Sequence, residues 1–246
     1  MSKLYTNLAN VYHEIYQTLF DYDEEFKFYD KHLTENEIKS VVEIGCGTGN
    51  LAKRLHEAGY EYLGIDLFDE MLKIAKTTAP LANFCQADAR NFKLEEKQDC
   101  VIITGRSISY LTSNNDLLNA FRCIADSLKQ GGLLMFDAID ASKLFVGFTD
   151  EKLDTLLATH GSNEYKRMSK SRKNLQTGWT WDWESEYFLK SQVGEYEKIG
   201  EDFSTLRAFL KDELSLFLKI TGFELVNLLP KKSYAWEDNF FIAKKV

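Results

Sequence analysis

Three glycines at alternate positions, Gly45, Gly47 and Gly49, follow directly on the mostly apolar run Val41-Val42-Glu43-Ile44. The chain then takes on helical character through Asn50-Leu51-Ala52-Lys53-Arg54-Leu55. These parts build a strand, a tight backbone turn and a helix start. Glycine is required in such a turn because some positions need φ > 0 and because a Cβ would collide with a ligand that approaches the backbone. The segment therefore points to an α/β fold with a nucleotide-like ligand on the turn after its first strand.

The glycine spacing is G-x-G-x-G, whereas a dinucleotide-binding turn is spaced G-x-G-x-x-G and sets a pyrophosphate on the helix N-terminus. Glu43 lies two residues before the first glycine. Its carboxylate would repel a pyrophosphate and suits a ligand that carries an amino group and a sulfonium. A second strand over 60–65 ends in Asp66, at about the interval after the glycines from which an acid reaches both ribose hydroxyls. That interval alone also fits a nicotinamide cofactor, and Asp66 read by itself is a helix N-cap. A third short strand ends in Asp88-Ala89. Three acids, one with each of three successive strands, suit a ligand with net positive charge.

A fourth strand over 99–104 runs into Gly105-Arg106-Ser107-Ile108-Ser109-Tyr110-Leu111. A helix over 114–129 follows, with apolar residues at Leu117, Leu118, Phe121, Ile124, Ala125 and Leu128. Gln130-Gly131-Gly132 stops it, and 133–138, ending near Asp137, reads as a fifth strand buried on both faces. A last amphipathic helix over 210–221 precedes two strands, 223–229 and 239–244, joined by a 230–238 connection. Alternating strands and helices over 38–140 predict a doubly wound, mostly parallel sheet, with ligands at the carboxyl ends of its strands.

The 41–49 segment resembles motif I of the class I S-adenosylmethionine-dependent methyltransferases, whose common form is (D/E)-x-G-x-G-x-G. The 129–137 segment resembles their L-(K/R)-P-G-G-x-(L/F) stretch, with Gln130 in place of Pro. The terminal strands resemble the antiparallel hairpin that ends the methyltransferase sheet and that dinucleotide dehydrogenases lack. The resemblance covers about 38–140 and 205–246. It implies a seven-stranded Rossmann-like sheet, S-adenosyl-L-methionine as cofactor and S-adenosyl-L-homocysteine as product. It places Glu43, Gly45, Cys46, Gly47 and Gly49 against the cofactor, Asp66 on its ribose, and Leu67 and Met71 beside its adenine. Asp88 and Ala89 match the positions that meet the adenine amino group and a ring nitrogen. Arg106, Ser107 and Tyr110 fall in the segment that borders cofactor and substrate.

Two regions lie outside this sheet. Residues 1–37 read as two helices with an apolar stripe that includes Leu8, Val11, Tyr12, Ile15, Tyr16 and Leu19. Their opening, with Tyr5, Tyr12 and Tyr16, resembles the N-terminal lid of small-molecule methyltransferases, in which a tyrosine often faces the sulfonium or the acceptor amine. Residues 142–208 are inserted after the fifth strand. There Trp179, Trp181, Trp183, Ser185 and Tyr187 alternate with Thr180, Asp182, Glu184 and Glu186, the period of a strand with one aromatic face. Stretches 166–173 and 195–207 read as partner strands, with 174–178 as a turn. The tryptophans either pack on the domain or form an aromatic wall for an acceptor such as a cationic amine. The expected organisation is a cofactor domain from 1–141 plus 209–246 and an antiparallel β substrate cap from 142–208.

At 246 residues and 44% hydrophobic composition the chain can build one full core with one elaboration. No apolar run approaches about 18 residues and no leader pattern opens the chain, so neither a membrane span nor export is expected. A net charge of −8 argues against nucleic-acid substrates. Cys46, Cys85, Cys100 and Cys123 show no metal spacing and are expected as reduced thiols in the cytoplasm. His13, His32, His56 and His160 do not cluster, so no metal is expected. The sequence does not fix an oligomeric state.

Methyl transfer from a sulfonium is an in-line displacement, in which the protein aligns the nucleophile and excludes water. The candidates for a catalytic role are Tyr12, Tyr110, Asp137 and His160. Tyr16, Ser107, Tyr110, Trp179, Trp181 and Trp183 are candidates for the acceptor wall. The expected reaction is methylation of a small molecule, with an amine nitrogen as acceptor. The alternatives are O-methylation, methylation of a protein or tRNA, cofactor binding without transfer, and a nicotinamide oxidoreductase.

Overall fold

β1 (Ser40–Ile44) is buried along its whole length, as a strand with parallel neighbours on both sides and helices on both faces must be. The computed structural model that shows this describes residues 2–232 and 237–246. Two helices, α1 (Ala9–Leu19) and α2 (Tyr22–Glu35), precede β1. After it come α3 (Asn50–Glu57), β2 (Glu61–Asp66), α4 (Asp69–Thr78), β3 (Asn83–Gln86) and β4 (Gln98–Ile103). A 3-10 turn (Ser107–Tyr110) leads to α5 (Asn114–Ser127), β5 (Leu128–Ile139) and the short α6 (Ala141–Leu144). The insertion holds β6 (Glu151–His160), β7 (Asn163–Lys173), β8 (Thr180–Lys190) and β9 (Tyr196–Arg207). The chain closes with α7 (Lys211–Ile220), β10 (Phe223–Lys232) and β11 (Glu237–Lys245).

Among the described residues the strands form two sheets. One has seven strands in the order β10-β11-β5-β4-β1-β2-β3, parallel except for β11, which runs antiparallel to β5 and β10. Alternate residues of its central strands feed opposite faces. Val42, Ile44, Val101, Ile103, Leu134 and Phe136 pack under α5 and α7, while Val41, Cys100, Ile102 and Met135 pack under α2 and α3. The order reverses between β1 and β4, and the crevice at their carboxyl ends is where such a sheet binds ligands. The second sheet is antiparallel, in the order β6-β7-β8-β9. The doubly wound sheet, the terminal hairpin and the antiparallel insertion are all present, as the sequence predicts.

Three boundaries differ from expectation. β5 starts at Leu128, so Gln130-Gly131-Gly132 lies within a strand and not in a helix stop. A Cβ at Gly132 would come within 3.0 Å of the carbonyl oxygens of Asp99 and Lys129, a close backbone approach that only glycine permits. The hairpin strands extend past 229 and begin before 239, with Pro230 paired to Asn239. Proline is tolerated there because β10 is an edge strand. The expected 230–238 connection is thereby shortened, and its middle, 233–236, lies outside the described residues. β6 has no counterpart in the sequence reading. It is an edge strand exposed at most positions, so it lacks the apolar alternation that marks a half-buried strand.

Candidate functional site

The glycine turn is tied to the end of β2 by its backbone donors. Gly45 N and Cys46 N donate to the Ile65 carbonyl at 2.8 and 3.1 Å, and Gly49 N donates to the Cys46 carbonyl at 3.1 Å. Gly47 N donates to Asp66 Oδ2 at 2.9 Å. Four of the five amides of 45–49 are thereby engaged within the protein. Gly45 and Gly49 are packing glycines. A Cβ on the first would collide with the Ser107 side chain, and on the second would lie 2.9 Å from Ala75 Cα. Gly47 has φ +55°, and a Cβ there would meet only Met71 Cε, at 3.7 Å. Its open side faces the buried Met71.

The three acids take different roles. Asp66 is buried at the end of β2, with Oδ2 on Gly47 N and Oδ1 on Phe68 N at 3.0 Å. Burial raises its pKa, offset by those amide donors. Each oxygen keeps a lone pair, so Asp66 both pins the turn and can accept ribose hydroxyls. Asp66→Ala is expected to weaken S-adenosylmethionine binding by about 2–3 kcal/mol, since two hydroxyls lose a charged acceptor. An unchanged dissociation constant by calorimetry would remove the ribose assignment.

Glu43 does not reach the ligand face. Its carboxylate lies beneath the turn and accepts from Tyr62 OH at 2.5 Å and Thr104 Oγ1 at 2.6 Å. Burial lifts its pKa to about 7, with those two hydroxyls pulling the other way. The folded protein thus holds this proton more tightly than the unfolded chain, whose glutamate titrates near 4.5. The resulting stabilisation is full at low pH and is lost as pH rises through about 7. Relative to Glu43→Gln, the wild-type protein without cofactor should lose about 3 kcal/mol of stability between pH 4.5 and 8. Denaturant titrations of both proteins across that range check it, and parallel curves would contradict it.

Asp88 carries a second correction. Arg90 holds its side chain through Nε (2.9 Å) and Nη2 (2.5 Å) and keeps its pKa low, while Arg90 also reaches Asp116. The Asp88 oxygens are therefore engaged by a guanidinium, and an adenine amino group would have to share them. Ala89 packs against the core beside it, and Leu67 is half-exposed at the rim of the cleft.

At the ends of β4 and β5 lies a buried ionic chain. Arg106 has a left-handed backbone, φ +63°, and its N–H donates to Asp137 Oδ1 at 3.1 Å. Its Nε donates to Asp238 Oδ2 at 2.8 Å. Asp137 Oδ2 lies 3.4 Å from Lys231 Nζ, which bonds Glu25 at 2.5 Å. Burial lifts the Asp238 pKa to about 6, with the Arg106 guanidinium opposing it. Over the crevice stands a run of rings. Tyr5 packs on Phe68, Tyr12 and Tyr110 with centroids 5.4–5.6 Å apart, and Tyr12 stacks on Tyr16 at 4.2 Å. The Tyr5 and Tyr110 hydroxyls are 2.6 Å apart. Gln17 Nε2 on α1 bonds Asn50 Oδ1, where α3 begins, at 2.6 Å. The first helix thus roofs the glycine turn.

Residues 41–132 match the family model of a methyltransferase domain. On this match and in its fold the chain is similar to the class I S-adenosylmethionine-dependent methyltransferases. S-adenosylmethionine is the cofactor of that family. A relative from Bacillus subtilis (strain 168), named methyltransferase YqeM, is 34% identical over 152 residues, 60% of each chain. The dTDP-3-amino-3,4,6-trideoxy-alpha-D-glucopyranose N,N-dimethyltransferase of Streptomyces venezuelae is 29% identical over 101 residues, 41% of this chain and 43% of that one. These matches span well under the full length of either relative. Among solved structures, the SAM-bound amino pentose methyltransferase CalS10 from Micromonospora echinaspora superposes with a TM-score of 0.79 at 18% identity, over 96% of this chain and 97% of that one.

Several expected site residues have other partners in the structure. His160 ends β6, 3.7 Å from Glu14. Glu14 stands two residues from both Tyr12 and Tyr16, hence on the far side of α1. His160 is withdrawn as a catalytic candidate. Trp179 and the buried Trp181 pack with Phe145, Phe148 and Ala208 in a small core. Trp183 is partly buried, with Arg167 over its ring at 5.4 Å. The Cys46 thiol is buried under the turn against Gly64, leaving only its backbone near the ligand side. Conversely, Glu25, Lys231 and Asp238 were not singled out by sequence. They come from three separate elements, α2, β10 and β11, and no local pattern marks them. Among the described residues no helix is long and apolar enough to cross a membrane.

Proposed function

We propose that the protein transfers the methyl group of S-adenosylmethionine to the nitrogen of a small-molecule amine. The observation that carries this reading is the cleft over Gly47 and Met71, with Asp66 at its edge and the α1 tyrosines above it. The residues fit the cofactor. Gly47 leaves its space clear, and Asp66 offers ribose acceptors. The bound cofactor supplies an electrophilic methyl and its own leaving group.

This chain's residues then bind, align and exclude water. Residues 1–37 act as a lid and 142–208 as a substrate cap, with the acceptor between them and the post-β4 segment. Tyr12, Tyr16, Ser107 and Tyr110 line that space. The Tyr110 hydroxyl, already hydrogen-bonded to Tyr5, can hold the acceptor by a hydrogen bond, and Asp137 stands behind Arg106 as a carboxylate able to accept a proton. A neutral amine needs only a weak base, which agrees with the lack of a histidine at this position. The amine assignment is supported by the relatives, one named an N,N-dimethyltransferase and one an amino pentose methyltransferase. Four free thiols support a reducing, cytoplasmic setting.

Methyl-labelled S-adenosylmethionine, incubated with the protein and a panel of amines, nucleotide-linked amino sugars, phenols and alcohols, tests the proposal. Label is expected on an amine. Label confined to hydroxyl compounds, or no transfer to any small molecule, would contradict it.

A further inference from the structure

The lid is strapped to the cap at two carboxylates, neither of which belongs to the cofactor cleft. Asp202 on β9 is 4% exposed, the burial of a core residue. Its Oδ1 accepts from Ser2 Oγ (3.0 Å), Lys3 N (2.6 Å) and Leu4 N (3.1 Å), and its Oδ2 accepts from Ser204 Oγ (3.2 Å). A carboxylate with two backbone donors and two hydroxyls fixes the path of the chain that carries them. The apolar contact agrees. Leu4 and Leu8 are buried in a cluster with Tyr165 and Tyr187 of the cap, and Leu8 packs so closely on Gly200 that a Cβ there would lie 2.6 Å from it. Further along the lid, Glu14 Oε2 on α1 accepts from Tyr165 OH at 2.7 Å and Asn163 Nδ2 at 2.8 Å, both on β7.

Tyr5, the residue after the Asp202 clamp, carries the hydroxyl that meets Tyr110, and Tyr12 and Tyr16 flank Glu14. The two straps therefore set where the lid tyrosines stand over the crevice. We propose that Asp202 and Glu14 are positioning residues that join lid and cap into a single closing body, so that the aromatic roof moves onto the cofactor together with the inserted sheet. A lid hinged on its own would need no buried acceptor from the cap. This rests on the lid and cap roles proposed above.

Hydrogen exchange with and without saturating S-adenosylhomocysteine tests it in wild type, Asp202→Ala, Asp202→Asn and the double variant Asp202→Ala/Glu14→Ala. In wild type, the ligand should slow exchange in 2–16 and in 163–206 together. In Asp202→Ala, residues 2–8 should exchange at least tenfold faster, while 43–49 and 66–72 stay protected by the ligand. In the double variant the ligand should no longer protect 2–16 and 163–206 in step. Asp202→Asn keeps one acceptor oxygen and should show about threefold faster exchange confined to 2–8. If the alanine variants do not fold, this variant is decisive. Unchanged exchange at 2–8 in Asp202→Asn or Asp202→Ala, or continued joint protection in the double variant, would overturn the proposal. Uniform acceleration in every segment would also overturn it, since that is the mark of a merely structural carboxylate. Absence of ligand binding in wild type would instead sink the proposed function, and the ligand-free exchange at 2–8 would still judge the strap.

Discussion

Gly47→Val should abolish binding of S-adenosylhomocysteine while leaving the fold in place. Position 47 has φ +55°, so a β-branched residue is strained there by about 1–2 kcal/mol. That is too little to unfold a domain with two large buried clusters on its main sheet. The side chain itself meets no protein atom closer than Met71 Cε, so it projects into the cleft and not into the core. Gly49 gives the contrast. A side chain there meets the Ala75 backbone of α4, and Gly49→Val should cost stability first. Calorimetry and far-ultraviolet circular dichroism on both variants check the distinction. Wild-type affinity in Gly47→Val would mean that the ligand does not sit on this turn.

Lys231→Met should destabilise the protein by about 3–5 kcal/mol, the largest effect expected from a single charge. The Lys231 ammonium lies over the rings of Phe28, Tyr29 and Phe240 at 4.9–5.7 Å, between the carboxylates of Glu25 and Asp137. Burial disfavours that charge, but Asp137 and Glu25 outweigh it and raise the lysine's affinity for its proton. Methionine would fill the aromatic slot and leave two carboxylates without their cation. Pairing the change with Glu25→Gln should recover part of the loss, because one orphaned charge goes with it. Lys129→Met is the control. Its ammonium bonds Asp99 at 2.7 Å but is 54% exposed, so a far smaller loss than for Lys231→Met is expected. Urea denaturation measures all three, and a loss below about 1 kcal/mol for Lys231→Met would show that the cluster is not held by this cation.

These two positions mark what a sequence can and cannot disclose. Gly47 was legible because its constraint is local. A strand, three alternate glycines and a helix start restrict the backbone within a dozen residues, and Asp66 follows at the length of one βαβ unit. The sheet was legible because parallel strands buried on both faces read as unbroken apolar runs. Lys231 was not, because its partners come from α2, β5 and β11, brought together only by strand order. Glu43 and Asp88 were recognised as acids, but Tyr62, Thr104 and Arg90 took their oxygens, and no spacing rule reports such partners. The alternation of Trp179, Trp181 and Trp183 gave the strand correctly. It did not tell which layer the aromatic face would cover, and α6 with Phe145 and Phe148 covers part of it.

We propose that the turn at 45–49 holds S-adenosylmethionine and not a dinucleotide. Isothermal titration of the wild-type protein with S-adenosylhomocysteine and, separately, with NAD tests it most directly. Saturable one-site binding of S-adenosylhomocysteine, with a dissociation constant on the order of micromolar, and no heat from NAD is the predicted result. Saturable binding of NAD without binding of S-adenosylhomocysteine would contradict the account.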